Sequence, residues 1–193
     1  AIGAANTIVI SNEGFHAYNT DGIGFIYALK NYHNVSLTNK NITIIGAGGS
    51  AKAIGVACLA ETIKSLTIIN RSKTNADHLL SILNKQPHST TLSSCSLDSN
   101  QSFDNLKKSD IVINTTPLGM TPHINNSPLT TFDWVTKNHT CYDIIYNPTK
   151  TLFLQKAAEH GAKTFNGASM LAAQAMYAFK YFTTLEAPFK HFI

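Results

Sequence analysis

The stretch Ile44-Ile45-Gly46-Ala47-Gly48-Gly49-Ser50-Ala51-Lys52-Ala53 decides the fold, because an apolar run enters a glycine turn that opens a predicted helix. A pyrophosphate needs close backbone approach, which glycine permits by lacking Cβ. It also needs the free N-H groups at a helix N-terminus. Gly46, Gly48 and Ala51 fill the three positions of the G-x-G-x-x-G/A pattern. On its own the pattern also suits an ordinary strand-to-helix turn. Its surroundings favour a dinucleotide: residues 41–45 read as a strand, the next ten as helix, and Leu66-Thr67-Ile68-Ile69 as a second strand.

Outward from this core, strands and helices alternate from Asn39 onward, which predicts an α/β fold with a Rossmann-like parallel sheet and flanking helices. Strands are expected at 41–45, 66–70, 111–114, 141–145 and 163–165, with a weaker one near 91–95. Helices are expected at 49–61, 74–84, 104–108, 151–160 and 168–182. The Ser- and Thr-rich stretch from Gln86 to Ser102 is the least legible. Before the sheet, Asn6 to Ile10 and Phe15 to Tyr18 read as a strand pair around the turn Asn12-Glu13-Gly14. Asp21 stands as an N-cap to a helix from Gly22 to Asn31. A hairpin is marginal in water by itself, so this pair is expected to belong to a larger sheet. A last segment, Glu186 to Ile193, contains the helix breaker Pro188.

Composition sets bounds on partners. The 193 residues are 44% hydrophobic and 13% charged, enough for a buried core and inconsistent with disorder. The net charge of +4 comes from fifteen scattered Lys and Arg residues, which argues against nucleic acid and leaves anionic small molecules as ligands. Three widely spaced cysteines, Cys58, Cys95 and Cys141, suit a reduced cytoplasmic setting. No run approaches the roughly 18 apolar residues of a membrane span, and the eight dispersed histidines suggest no metal site.

The phosphate end of the cofactor is legible after the second strand. An NAD-specific domain usually places an acidic residue about 20 positions past the glycine turn, and a basic residue there accommodates a 2′-phosphate. This chain has Asn70-Arg71-Ser72-Lys73 and no carboxylate. Arg71 offers a bidentate fork, Lys73 a charge and Ser72 a hydroxyl, so NADP is expected over NAD.

Five further polar segments fall where open α/β sheets bind ligands, and with the two above they resemble the shikimate dehydrogenase family across essentially the whole chain. Gly3 to Thr7 is similar to its GAxNT motif, Asn19 to Gly22 to NTDxxG, Gly46 to Ala53 to GAGGxxxA, and Asn70 to Ser72 to NRT/S. Asn114 to Met120 is similar to N-[AT]-T-x-x-GM, Tyr142 to Leu152 to YDxxYxPxxTxL, and Gly167 to Gln174 to GxxMLxxQ. The motifs occur in the family's order.

The resemblance implies reversible NADP-dependent reduction of 3-dehydroshikimate to shikimate, a step of chorismate and aromatic amino acid biosynthesis, in a cleft between two domains. It implies that Asn6 and Asp21 bind the ring hydroxyls, Tyr146 lines the substrate and Gln174 reaches it, with Asp21 also in the catalytic pair. It assigns the cofactor to Gly46, Ala47, Gly48, Gly49 and Ser50, to Asn70, Arg71, Ser72, Lys73, Thr74 and Asn75, and to Ile144 and Gly167 at the nicotinamide end. On the residues alone, Asn6 better suits a strand cap, Asp21 a helix cap and Gln174 a solvated helix position, while Tyr146 suits a turn as well as a ligand.

Hydride transfer to a ketone leaves an alkoxide that needs a positioned acid. In the family that acid is a lysine paired with the aspartate matching Asp21, in a segment before GAxNT. No lysine here matches it, and the family's upstream Ser-x-Ser motif is likewise not present. The expected division is residues 1–21 as a remnant of an α/β substrate-binding domain, 22–182 as the NADP-binding domain, and 183–193 as a segment packing back toward the substrate side. Two origins remain open: a piece of a full-length enzyme, or a short relative that binds NADP without turnover. A quinate-oxidising relative is a third reading. A monomer or homodimer is expected, with self-association through the exposed strand edge at residues 4 to 18.

Overall fold

The computed structural model describes residues 3–193; Ala1 and Ile2, part of the expected substrate-domain remnant, lie outside the described residues. A two-stranded antiparallel hairpin, β1 (Thr7–Ser11) and β2 (Gly14–Tyr18), precedes α1 (Asp21–Tyr27), which widens into a π-turn over Ala28–Tyr32. There follow β3 (Asn41–Ile45), α2 (Gly49–Leu59), β4 (Ser65–Asn70), α3 (Lys73–Leu83), β5 (Thr91–Ser96), α4 (Asn100–Lys108) and β6 (Ile111–Asn114). The chain ends with β7 (Thr140–Asp143), α5 (Leu152–Glu159), β8 (Lys163–Phe165), α6 (Ala168–Thr183) and a 3-10 turn at Phe189–His191.

The six later strands form one parallel sheet in the order β5-β4-β3-β6-β7-β8. Chain direction across the sheet reverses between β3 and β6, and this switch point opens a crevice at the carboxyl ends of those two strands. Strand alternation fills both faces. Ile42 and Ile44 of β3, Leu66 and Ile68 of β4, and Ile111 and Ile113 of β6 pack with Phe25, Ile54, Leu79 and Met170 from α1, α2, α3 and α6. Ile45, Ile69 and Val112 point the other way, against Leu106 of α4, Phe153 of α5 and the buried Trp134. A sheet covered on both sides explains why its strands are nearly continuous apolar runs.

The expected elements are present, with boundaries moved for local reasons. β7 stops at Asp143 rather than running to Ile145, because the Asp143 carboxylate accepts the Ile145 amide at 3.1 Å and turns the chain. α4 starts at Asn100 because Ser99 caps it, accepting the Ser102 amide at 3.2 Å. The segment near 91–95 is the outermost strand on its side, which accounts for its weak apolar signal. Asp21 is the first residue of α1 and not its cap; Thr20 takes the cap position without a side-chain bond, and the Asp21 carboxylate is turned elsewhere.

Burial pushes the Cys58 thiol up and the Cys141 thiol up to about 12, so both remain protonated core residues. Among the described residues no helix is long and apolar enough to cross a membrane, and no three His, Cys, Asp or Glu side chains gather as metal ligands would.

Candidate active site

The glycine turn sits at the switch point. Gly46 has φ +114 and a Cβ there would collide with the Thr115 hydroxyl, so the position tolerates only glycine. Thr115 ties the end of β6 to the end of β3, donating from its amide at 2.9 Å and from its hydroxyl at 2.7 Å to the Ile45 carbonyl. Gly48, the cap residue of α2, has nothing within 4 Å of where a Cβ would lie and brings no capping side chain. Helical bonding begins with Lys52 donating to the Gly48 carbonyl at 3.0 Å, so the first-turn amides of α2 face an open concavity at the positive end of the helix. That cradle fits a pyrophosphate.

Two cavities flank it and share Thr116 and Pro117. One, about 260 Å³, lies over Ile45, Gly46, Asn70, Arg71 and Leu97. The other, about 480 Å³, lies between the loops after β6 and β7, with Thr115, Met120, Ile144 and Tyr146 in its walls. Together they make a mostly apolar cleft running across the glycine turn, with the volume usual for ligand pockets.

At the first cavity Arg71 is exposed and forms no ion pair among the described residues. Lys73 is differently placed: its ammonium lies 2.5 Å from Asp77, one helical turn on, and Asp77 also accepts from Ser94. Ser72 caps α3, accepting the Asn75 amide at 3.3 Å, and Asn70 braces the turn by donating to the Ser72 carbonyl at 3.0 Å. Thr74 and Asn75 are exposed in the first turn of α3.

At the second cavity Ile144 and Gly167 meet. The Gly167 amide donates to the Ile145 carbonyl at 3.0 Å, and a Cβ on Gly167 would overlap the Ile144 carbonyl. Tyr146 is 54% exposed and free to face a ligand. Beneath them lies a buried network that sequence reasoning passed over. Asn114 donates to Asp143 at 3.1 Å and accepts from the amide and hydroxyl of Thr116 at 2.9 and 2.7 Å. Thr151 donates to the other Asp143 oxygen at 2.6 Å. Burial raises the Asp143 carboxyl to about 6 against those donors. The signal was a polar Asn and Asp ending two adjacent buried strands.

A third group joins the hairpin to the cofactor loop. Asn6 donates to one Asp21 oxygen at 2.8 Å, and its own carbonyl accepts the Thr20 amide at 2.9 Å. Ser50 donates to the second Asp21 oxygen at 3.0 Å. Gln174 packs across α1, its Cγ 2.9 Å from where a Cβ on Gly24 would be. Asn6, Asp21 and Gln174 do not line the larger cavity, so the expected substrate residues fall into two sets, these three and Tyr146.

Residues 28–144 match the family model described as Shikimate / quinate 5-dehydrogenase. The chain belongs to the shikimate / quinate dehydrogenase family. It is 41% identical over 189 residues to the shikimate dehydrogenase (NADP(+)) of Methanosphaera stadtmanae, covering 94% of this chain and 63% of that one. It is 36% identical to the shikimate dehydrogenase (NADP(+)) of Desulforamulus reducens, covering 97% and 64% respectively. Its fold superposes on the shikimate 5-dehydrogenase of Listeria monocytogenes, solved in complex with shikimate and NAD, with TM-score 0.90 and 30% identity over 99% of this chain and 67% of that one. The chain thus spans about 63 to 64% of the length of the curated relatives.

Proposed function

We propose that this chain is the cofactor-binding part, with a share of the substrate site, of an NADP-dependent shikimate dehydrogenase that interconverts 3-dehydroshikimate and shikimate. The observation that carries the reading is the cleft across the glycine turn, with free Arg71 at one end and Ile144, Gly167 and Tyr146 at the other. Its length and polarity suit a dinucleotide with a 2′-phosphate beside Arg71, held by Asn70 to Asn75, and a nicotinamide beside Ile144.

The cofactor, when bound, would supply a hydride as NADPH for the reduction and accept one as NADP+ in the reverse direction. The residues of this chain do the rest of the work assigned here. Amides of the turn from Gly46 to Ser50 hold the pyrophosphate. Asn6, Asp21, Tyr146 and Gln174 orient the substrate ring. Asp21 pairs with the lysine that, by family resemblance, gives the alkoxide its proton, and Asn6 fixes the carboxylate for that role. The proposed division keeps residues 1–21 with the substrate domain and 22–182 with the cofactor domain. Residues 183–193 are proposed to pack toward the substrate side; Tyr18 of the hairpin stacks on Tyr181, just before this segment, while Phe189 within it lies against Tyr27 and Tyr32 of the cofactor side.

A second reading is a module that holds NADP without turnover. Shikimate-dependent NADPH formation, measured on this chain and on the protein extended upstream of it, separates the two. Turnover by the extended protein establishes the dehydrogenase; NADP binding without turnover in both leaves the module. The buried thiols agree with a cytoplasmic setting, and the scattered positive charge with small anionic ligands rather than nucleic acid.

The hairpin supports proposed self-association as a homodimer. Ile8, Ile10 and Phe15, on one face by register, are 58%, 74% and 80% exposed. An apolar strand face of this kind seeks a covering partner.

A further inference from the structure

We infer that Ser50, although it sits in the glycine turn, positions the Asp21 carboxylate through its hydroxyl and is not a side-chain ligand of the cofactor phosphate. The inference rests on the proposed role of Asp21.

Ser50 is the second residue of α2, where a hydroxyl is ordinarily free to meet an anion held by the first-turn amides. Here its Oγ donates to Asp21 Oδ2 at 3.0 Å. A serine hydroxyl carries one proton, so a donor spent on a carboxylate is not offered to a phosphate. The opposite oxygen, Oδ1, receives Asn6 at 2.8 Å, and the Asp21 amide donates to the Asn19 side chain at 3.0 Å. The carboxylate is therefore held from the hairpin on one side and from the cofactor loop on the other.

Helix packing makes this arrangement stiff. Gly22, next to Asp21, lies so close to α2 that a Cβ there would come 2.6 Å from the Ala53 carbonyl and 2.9 Å from the Ala57 Cβ. Two residues on, Gly24 meets α6 as closely, at Gln174. With α1 pressed between α2 and α6, Asp21 has little room to leave Ser50. Any shift of the glycine turn on taking up pyrophosphate moves the Ser50 hydroxyl and, with it, the carboxylate. Ser50 is in this sense a mechanical link between cofactor loop and acid-base group.

The test uses the protein extended upstream, with Ser50→Ala and Ser50→Thr, and reads two quantities: NADP Kd in the absence of substrate, and kcat and KM for shikimate. Ser50→Ala is expected to keep NADP Kd within about twofold while kcat falls roughly tenfold, the scale of one hydrogen bond to a charged group. Ser50→Thr, which keeps the hydroxyl, is expected to restore most of kcat. A Ser50→Ala variant with weakened NADP binding and intact kcat overturns the inference, as does one matching the parent in both. If the parent itself shows no shikimate turnover while still binding NADP, the proposed function fails and the positioning role of Ser50 is overturned with it; a weakened Kd in Ser50→Ala would in addition place the hydroxyl on the cofactor phosphate.

Discussion

Gly167 lies against Ile144 so closely that its missing side chain is a structural requirement: a Cβ there would occupy the space of the Ile144 carbonyl oxygen. The contact joins the start of α6 to the loop after β7, whose Ile144 lines the larger cavity. Gly167→Ala is expected to destabilise the chain by about 1–3 kcal/mol through overpacking. It should also weaken NADP binding by displacing Ile144. Urea unfolding with a parallel NADP titration checks both, and a variant as stable as the parent would contradict the contact.

Asp143 predicts a pH dependence whose sign follows from its raised carboxyl. Burial lifts it from the ordinary 3.8 to about 6, against the donors Thr151, the Ile145 amide and Asn114. Below 3.8 both folded and unfolded forms are protonated and nothing is lost. As pH rises from 3.8 through 6, the unfolded chain sheds a proton that the folded one retains, so stability falls, by an amount on the order of 3 kcal/mol, and then levels. Asp143→Asn, which still accepts from Asn114 and Ile145, is expected to remove that slope. Unfolding free energies of parent and variant should lie close at the acid end of this range and separate as pH rises, the parent falling below the variant; parallel curves would refute the assignment.

Arg71 and Lys73 are expected to contribute unequally to the 2′-phosphate. Arg71→Ala should weaken NADP by roughly ten- to a hundredfold, the range of a charge-assisted pair, and leave NAD nearly unchanged. Lys73→Ala should cost NADP less, because that ammonium already lies on Asp77. Calorimetric titration of both cofactors checks the order, and equal binding of NAD and NADP by the parent would remove the phosphate assignment.

The apolar face of the hairpin is the expected site of self-association. Phe15→Ser combined with Ile10→Lys should reduce association without touching Asn6 or Asp21, which lie outside β1 and β2. Light scattering over a concentration series tests this; a parent that stays monomeric throughout would remove the proposal.

The parallel sheet's elements and the glycine turn that enters α2 were legible because they depend on local chemistry. Ile42 to Ile45, the glycines after them and the next apolar strand carry their own conformational preferences, and alternation of strand and helix leaves few topologies. Boundaries were less legible where one side chain redirects the backbone, as Asp143 does at the end of β7 and Ser99 at the start of α4. The Asn114, Asp143 and Thr151 network stayed hidden because its members are separated by 29 and 8 residues, and no local preference announces a bond between them.

By itself, then, the amino-acid sequence determined an α/β chain with a glycine turn opening a helix, a basic segment after the next strand and seven ordered family motifs. Backbone propensity, glycine chemistry and charge act over a few residues and are written in the order of the chain. Only the tertiary structure decided how the polar groups share their hydrogen bonds. Lys73 turns to Asp77 rather than standing free beside Arg71, and Ser50 turns to Asp21 rather than to the cradle. A donor takes the partner that packing brings within reach, and α1 carries Asp21 to Ser50 only because Gly22 lets two helices touch.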